Sequence, residues 1–305
     1  MALATIPYPN LDPVLLHIWG PFAIRWYALS YIAGLLLGWW LIVRMLADSA
    51  LWANPVFKNK APATADDIGD FFVWATLGVI VGGRLGWVIF YATILCSVSP
   101  GMGMCHGYPE RFLTDPISLI SAWDGGMSFH GGLIGVAVAT WLFCRKRKIS
   151  LIRFGDLLAS VVPIGLFFGR IANFVNGELW GKPTDVPWAM VFCNDTVRRL
   201  HDGICPAGTV PRHPSELYEA ALEGALLFLV VQFGYRRLHW RENPGLTIGV
   251  FLLVYGLARG FCELFREPDA PFLGPISMGQ ALSAPMFLIG LWLLYETLYK
   301  KRFAA

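Results

Sequence analysis

Seven long apolar runs, about 27–43, 71–92, 130–144, 156–172, 216–234, 246–263 and 280–299, dominate this 305-residue chain. A helix needs about 20 such residues to cross about 30 Å of hydrocarbon. Runs of this number and length point to one fold class: an all-α, polytopic membrane protein with about seven transmembrane helices. Composition closes the alternatives. Only 15% of residues are charged and 56% are apolar, with a mean hydropathy of +0.54, whereas a soluble domain carries about 25% charged residues. Too little polar surface remains to cover soluble domains of this length. The runs lack strict alternation, so strands are not expected. Thirteen Trp and ten Tyr suit the two bilayer interfaces, where amphipathic rings collect. Residues 1–305 read as a single integral membrane domain. The third run is short enough for a tilted or partly re-entrant segment.

Basic residues set the orientation. One set of loops, with the C-terminal tail, holds 14 Lys and Arg, including Arg145, Lys146, Arg147 and Lys148; the opposite set holds 7. Arg84, Arg170 and Arg259 fall within runs. The positive-inside rule puts the N-terminus outside and the C-terminus in the cytoplasm, so loops 93–129 and 173–215 face outward. The first residues show no basic stretch before a short apolar run, so no cleavable signal peptide is expected. None of the six Cys forms a CxxC pair or a zinc spacing, and no metal site is expected. An oxidising exterior would allow Cys193 to pair with Cys205, or Cys96 with Cys105. A net charge of +3 is too small to argue for a nucleic-acid partner. Glycines recur four apart, as in Gly78/Gly82/Gly86 and Gly131/Gly135, a spacing that lets helices approach in lipid.

Charge inside such runs is costly. For Arg25 and Arg84 the sequence suggests snorkelling to the headgroups. Tyr255, Arg259, Cys262 and Arg266 fall within an arc of about 60° on one helix, with Glu263 beside it. Two Arg and one Glu leave positive charge over, which suits an anionic ligand. Arg170, Asn173 and Asn176 share a second face, followed by Gly177, Glu178 and Gly181. Arg offers a planar fork for phosphate or carboxylate, and the amides offer donors and acceptors. His130 follows Trp123-Asp124-Gly-Gly-Met-Ser-Phe at an outer boundary. An imidazole there can take a proton near neutral pH, with Asp124 a nearby candidate to support it. Ser215 reads as a helix cap, which leaves His213 and Tyr218 as further candidates to support the site from behind. There is no GxSxG elbow, Walker loop or HExxH.

Taken together, these segments resemble the bacterial prolipoprotein diacylglyceryl transferases. The signature G-R-x-[GA]-N-F-x-N-x-E-x-x-G is matched in full from Gly169 to Gly181, and the block H-G-G-L-I-G from His130 to Gly135. Arg25-Trp26-Tyr27, His213-Pro214-Ser215, Tyr255 with Arg259, Glu263 to Arg266, and Ile276 to Gln280 are similar to further family blocks. The likeness runs from about residue 7 to residue 299. Glu216 stands where the family more often has Gln.

The resemblance implies transfer of the diacylglyceryl group of phosphatidylglycerol to the thiol of the lipobox Cys in a prolipoprotein signal peptide, without a cofactor. The setting implied is the outer leaflet of a bacterial inner membrane. His130, Arg170 and Arg259 would be catalytic. Arg170, Tyr27, Asn173, Asn176, Glu178, Gly181, Tyr255, Glu263 and Arg266 would bind substrate. The competing class is a transporter or channel for an anionic solute, which buried Arg and broken helices would also suit. A scaffold without activity is the third.

Overall fold

The computed structural model describes residues 6–19, 22–98, 105, 108, 110–121, 125–267, 271–273 and 276–300. Eight longer helices carry the apolar runs: α1 Trp26–Ala47, α2 Ala65–Gly86, α3 Phe129–Arg147, α4 Leu151–Ala159, α5 Val162–Asn176, α6 Ser215–Arg236, α7 Leu246–Cys262 and α8 Met278–Leu298. A π-helical stretch, Trp87–Leu95, continues α2, and another, Ala220–Leu226, lies inside α6. Each of the seven runs thus falls on helix. Among the described residues three helices, Trp26–Ala47, Ala65–Leu95 and Ser215–Arg236, are long and apolar enough to cross a membrane. The pair α4 and α5, bent by 41°, makes a fourth if counted as one span. The interruption therefore sits in the fourth run, not in the short third one. Its physical marker is Pro163, which is tolerated in the first turn of a new helix but not inside an old one.

Strands do occur, against expectation, but only in short pieces outside the apolar runs. β1 (Ile6–Pro7), β2 (Val14–Trp19), β3 (Phe22–Arg25), β4 (Met190–Val191), β5 (Pro271–Leu273) and β6 (Ile276–Ser277) form three two-stranded sheets: β1 with β4, β2 with β3, and β5 with β6.

The chain divides into two compact units, residues 1–60 with 155–305, and residues 61–154. In the first, α1 packs on α5 and α7 on α8. The close approach needs glycine: a Cβ on Gly290 would lie 2.8 Å from Leu253 N. Asp156 caps α7 from a distant part of the sequence, its carboxylate accepting from Gly245 N at 2.7 Å and Ile248 N at 2.9 Å. Loop 173–215 packs on Tyr8 in a small core with Phe192, Val197 and Ala207, and carries the Cys193–Cys205 disulfide. In the second unit α2 packs on α3, where a Cβ on Gly86 would lie 2.6 Å from Gly131 Cα. That unit also holds the Cys96–Cys105 disulfide.

Candidate active site

The matched signature begins inside α5 and runs past its end. Gly177 closes the helix in the left-handed conformation (φ 64°), and Glu178 N donates to Asn173 O at 3.1 Å, so the last carbonyls are satisfied. Tyr8 completes the cap, its hydroxyl donating to Phe174 O at 2.6 Å and Val175 O at 2.9 Å. Burial, with the Glu216 and Glu178 carboxylates nearby, raises the Tyr8 phenol above its ordinary range. This turn sends the Glu178 side chain back over the helix end, where it accepts from Asn173 Nδ2 at 2.8 Å and Asn176 Nδ2 at 3.3 Å. Tyr27, in the first turn of α1, lies within electrostatic reach of Glu178 and shares a 3.1 Å hydrogen bond with Tyr31. Gly181 is a point of tight packing: a Cβ there would stand 2.6 Å from His213 O and from Phe265 O.

Arg170 points elsewhere, toward α6. That helix presents Glu216, Glu219 and Glu223, all fully buried, at a spacing that keeps them on one face. Gly224 permits the approach, since a Cβ on it would lie 2.6 Å from Phe167 Cβ. Arg170 pairs with Glu219 at 3.1 Å and with Glu223 at 3.1 Å. Arg259, from α7, donates to Glu219 and Glu263 and lies 3.7 Å from Glu223. Arg266 reaches Glu219 at 3.3 Å. Tyr255 interacts electrostatically with the same groups. Glu219 is thus shared by three guanidiniums from two helices and the turn after α7. The π-helical stretch starts at the residue after it, an irregularity that recurs at functional sites.

The surplus positive charge expected on the α7 stripe is therefore corrected. Glu219 and Glu223 match Arg170 and Arg259, as Glu263 matches Arg266 in number, and Glu216 adds a fourth acid. Charges in a low-dielectric interior are costly unless paired or richly hydrogen-bonded. The two signs differ in access, however. The side chains of Arg170 and Arg259 are 17% and 12% exposed, and those of Glu219 and Glu223 are 0% exposed. An arriving anion would meet guanidinium first. The sequence reading missed Glu219 and Glu223; their i, i+4 spacing on an apolar helix was the available signal.

In the other unit, His130 sits exposed in the first turn of α3. Ser128 caps that helix, its hydroxyl accepting from Gly131 N at 3.1 Å. Asp124 lies outside the described residues. Arg84 corrects the snorkelling expectation: it is 6% exposed, whereas Arg25 is exposed. Ser215 is not the cap of α6. Pro214 holds that position, and the Ser215 hydroxyl donates to Leu179 O at 3.0 Å. His213 Nδ1 lies 3.1 Å from the Tyr218 hydroxyl, and Trp188 Nε1 donates to that hydroxyl at 2.6 Å. Burial, aided by Lys182, holds His213 below the usual imidazole range. Cys262 is a free, fully buried thiol and reads as a small filler. Among the described residues no three His, Cys, Asp or Glu side chains are placed to share a metal ion.

The sequence model described as prolipoprotein diacylglyceryl transferase matches residues 13–296. Similar proteins named phosphatidylglycerol–prolipoprotein diacylglyceryl transferase come from several bacteria. One from Caulobacter sp. is 47% identical over 300 residues, covering 95% of this chain and 94% of the relative. Another from Phenylobacterium zucineum is 48% identical over 295 residues (95% and 94%), and one from Rhodospirillum rubrum is 49% identical over 295 residues (95% and 93%). This chain belongs to the prolipoprotein diacylglyceryl transferase family.

Proposed function

We propose that this chain transfers the diacylglyceryl group of phosphatidylglycerol to the lipobox cysteine thiol of a prolipoprotein. The thiolate attacks the glycerol carbon that bears the phosphate, the carbon–oxygen bond breaks, and glycerol phosphate leaves. A thioether-linked precursor remains. One observation carries the reading beyond family membership: two guanidiniums from different helices converge on shared, enclosed carboxylates while staying partly open themselves. Such a pair can grip a phosphodiester bidentately and hold the charge that develops as phosphate departs.

The thiol must lose its proton to become nucleophilic, and His130, exposed at a capped helix start, is the side chain assigned to activate it or to position the headgroup. Tyr27, Asn173, Asn176, Glu178, Gly181, Tyr255, Glu263 and Arg266 shape the site, backed by His213 and Tyr218. Glu219 and Glu223 hold the two arginines in register.

In the bilayer, the seven apolar runs act as seven spans, with the N-terminus outside and the C-terminus in the cytoplasm of a bacterial inner membrane. The Cys96–Cys105 and Cys193–Cys205 disulfides support this orientation, because both lie in loops assigned to the oxidising face. The names of the relatives lend no support to an anion transporter. Purified protein given labelled phosphatidylglycerol and a lipobox peptide should yield lipidated peptide. Solute flux in proteoliposomes without such transfer would refute the reading. A membrane-impermeant thiol reagent should label Cys96, Cys105, Cys193 and Cys205 only after reduction and from outside; labelling from the cytoplasmic side would reverse the orientation.

A further inference from the structure

The guanidinium of Arg84, in α2, is buried. Its Nε donates to Leu119 O at 2.9 Å, its Nη1 to Gly125 O at 2.7 Å and Gly126 O at 2.9 Å, and its Nη2 to Ser118 O. Its Cζ stands 4.7 Å from the centre of the Trp87 ring. Among the described residues it has no ion pair. A buried charge is costly even with four hydrogen bonds to carbonyls, and a neutral donor would serve a simple anchor at lower cost. What Arg alone offers is a rigid fork of five donors, here spread over two separate stretches of chain.

Those stretches are the turn Pro116–Leu119 and the lead-in to α3. The lead-in is held at each step by one turn of α2. Gly126 (φ 78°) lies flat on Trp87, where a Cβ would come within 2.6 Å of the ring. Met127 packs on Gly83, and Ser128 N donates to Gly83 O at 2.9 Å. Ser128 then caps α3 through Gly131. His130 lies inside that cap, so its Cα is fixed while its ring stays open to solvent.

We propose that Arg84 is a positioning residue for the transfer reaction: it locks the Gly125–Ser128 lead-in and so sets where the His130 imidazole stands. This rests on the reading of His130 as the group that serves the thiol. A misplacement of about 1 Å at a reacting group can cost about 100-fold in rate, so a remote anchor of this kind should be visible in turnover.

The test uses full-length purified protein, phosphatidylglycerol and a lipobox peptide. Arg84→Gln should lower kcat about 100-fold and leave KM for the lipid within about threefold, as expected when an interaction matters only in the transition state. Arg84→Lys, which keeps the charge but not the fork, should fall between. If Arg84→Gln does not fold, Gly126→Ala makes the same test with the guanidinium in place, since it pushes the lead-in off Trp87. The double variant Arg84→Gln/His130→Gln should be no slower than His130→Gln alone. Unchanged kcat in both Arg84→Gln and Gly126→Ala, or losses that multiply in the double variant, would overturn the proposal and leave the His130 reading standing. Wild-type turnover in His130→Gln would instead remove the His130 reading, and this proposal with it.

Discussion

Two sets of arginines are withdrawn from water in this protein, and they are held in opposite ways. In the unit built from residues 1–60 and 155–305, Arg170, Arg259 and Arg266 lean on carboxylates. In the unit of residues 61–154, Arg84 leans, among the described residues, on backbone carbonyls and a ring, and the buried Arg241 of the first unit likewise donates to the carbonyls of Leu51, Tyr235 and Arg236. A carboxylate is itself an anionic ligand of the fork, so a phosphate can compete for the same donors. A carbonyl belongs to the chain, and releasing it means moving the loop. The first arrangement suits a guanidinium that must accept a substrate. The second suits one that must never let go. Within the carboxylate-held set, Arg170 and Arg259 keep side chains 17% and 12% exposed, while Arg266 is as enclosed as Arg84.

The contrast breaks most visibly at Arg170. Arg170→Ala takes one guanidinium from Glu219 and Glu223 and leaves buried carboxylates undercompensated, a change that typically costs about 3–5 kcal/mol. Transfer activity should vanish and thermal stability in detergent should fall together. Arg170→Lys keeps the charge and loses the fork, so it should retain the fold while losing most activity. A lysine variant with full turnover would mean that the open arginine does not grip phosphate with two donors.

How far this contrast was legible in the sequence follows from the kind of interaction involved. The helices were readable because an apolar run of this length has few other ways to satisfy its backbone in lipid. Arg170, Asn173, Asn176 and Glu178 stood out because polar side chains at helical spacing are rare in such runs. The partners were a different matter. Glu219 lies 49 residues beyond Arg170 and 40 before Arg259, and no local pattern encodes which faces meet. Arg84 was misread for a deeper reason: its acceptors are main-chain carbonyls, which every residue has. The short strands β2 and β3 were missed because the argument against strands addressed spans alone.

Each unit also carries one disulfide, and the two should prove nearly equal. Cys96–Cys105 and Cys193–Cys205 are separated by 9 and 12 residues. Loop-closure entropy varies only with the logarithm of length, so each closure contributes about 2.5–3 kcal/mol in the chain-entropy account. Replacing either pair by Ala should lower the detergent Tm by a similar amount. A drop confined to one pair would show that the other pair's loop is held chiefly by other contacts, and the small core around Tyr8 and Phe192 makes Cys193–Cys205 the better candidate to be dispensable.

Glu219 offers a finer test of the exchangeable set. Glu219→Gln preserves shape and removes the charge that Arg170, Arg259 and Arg266 share. The site becomes more positive, so KM for phosphatidylglycerol should hold or fall. The guanidiniums lose their common anchor, so kcat should drop about 10–100-fold. A rise in KM with unchanged kcat would contradict the role given to Glu219, since it would make that carboxylate a ground-state contact.

The smallest effect expected is a dependence on pH that separates the two units. His213 is held below the usual imidazole value, first by burial and then by Lys182. Its folded value therefore lies under the unfolded one, near 6.5. The stability this contributes is fully present above that pH and is lost as pH falls through the folded value, because the unfolded chain then binds the extra proton. The ring is half-buried, so solvent screening keeps the size modest. Its N–H and carbonyl pair with Lys182 and Gly181, and loosening should therefore be felt in residues 179–183. Among the described residues the hydrogen-bond acceptors of Arg84 are main-chain carbonyls. Amide exchange compared at pH 7 and pH 5 should rise in 179–183, stay level in 118–121 and 125–128, and lose its pH difference in His213→Gln. Equal acceleration in both stretches would mean that acid acts on the whole bundle rather than through this imidazole.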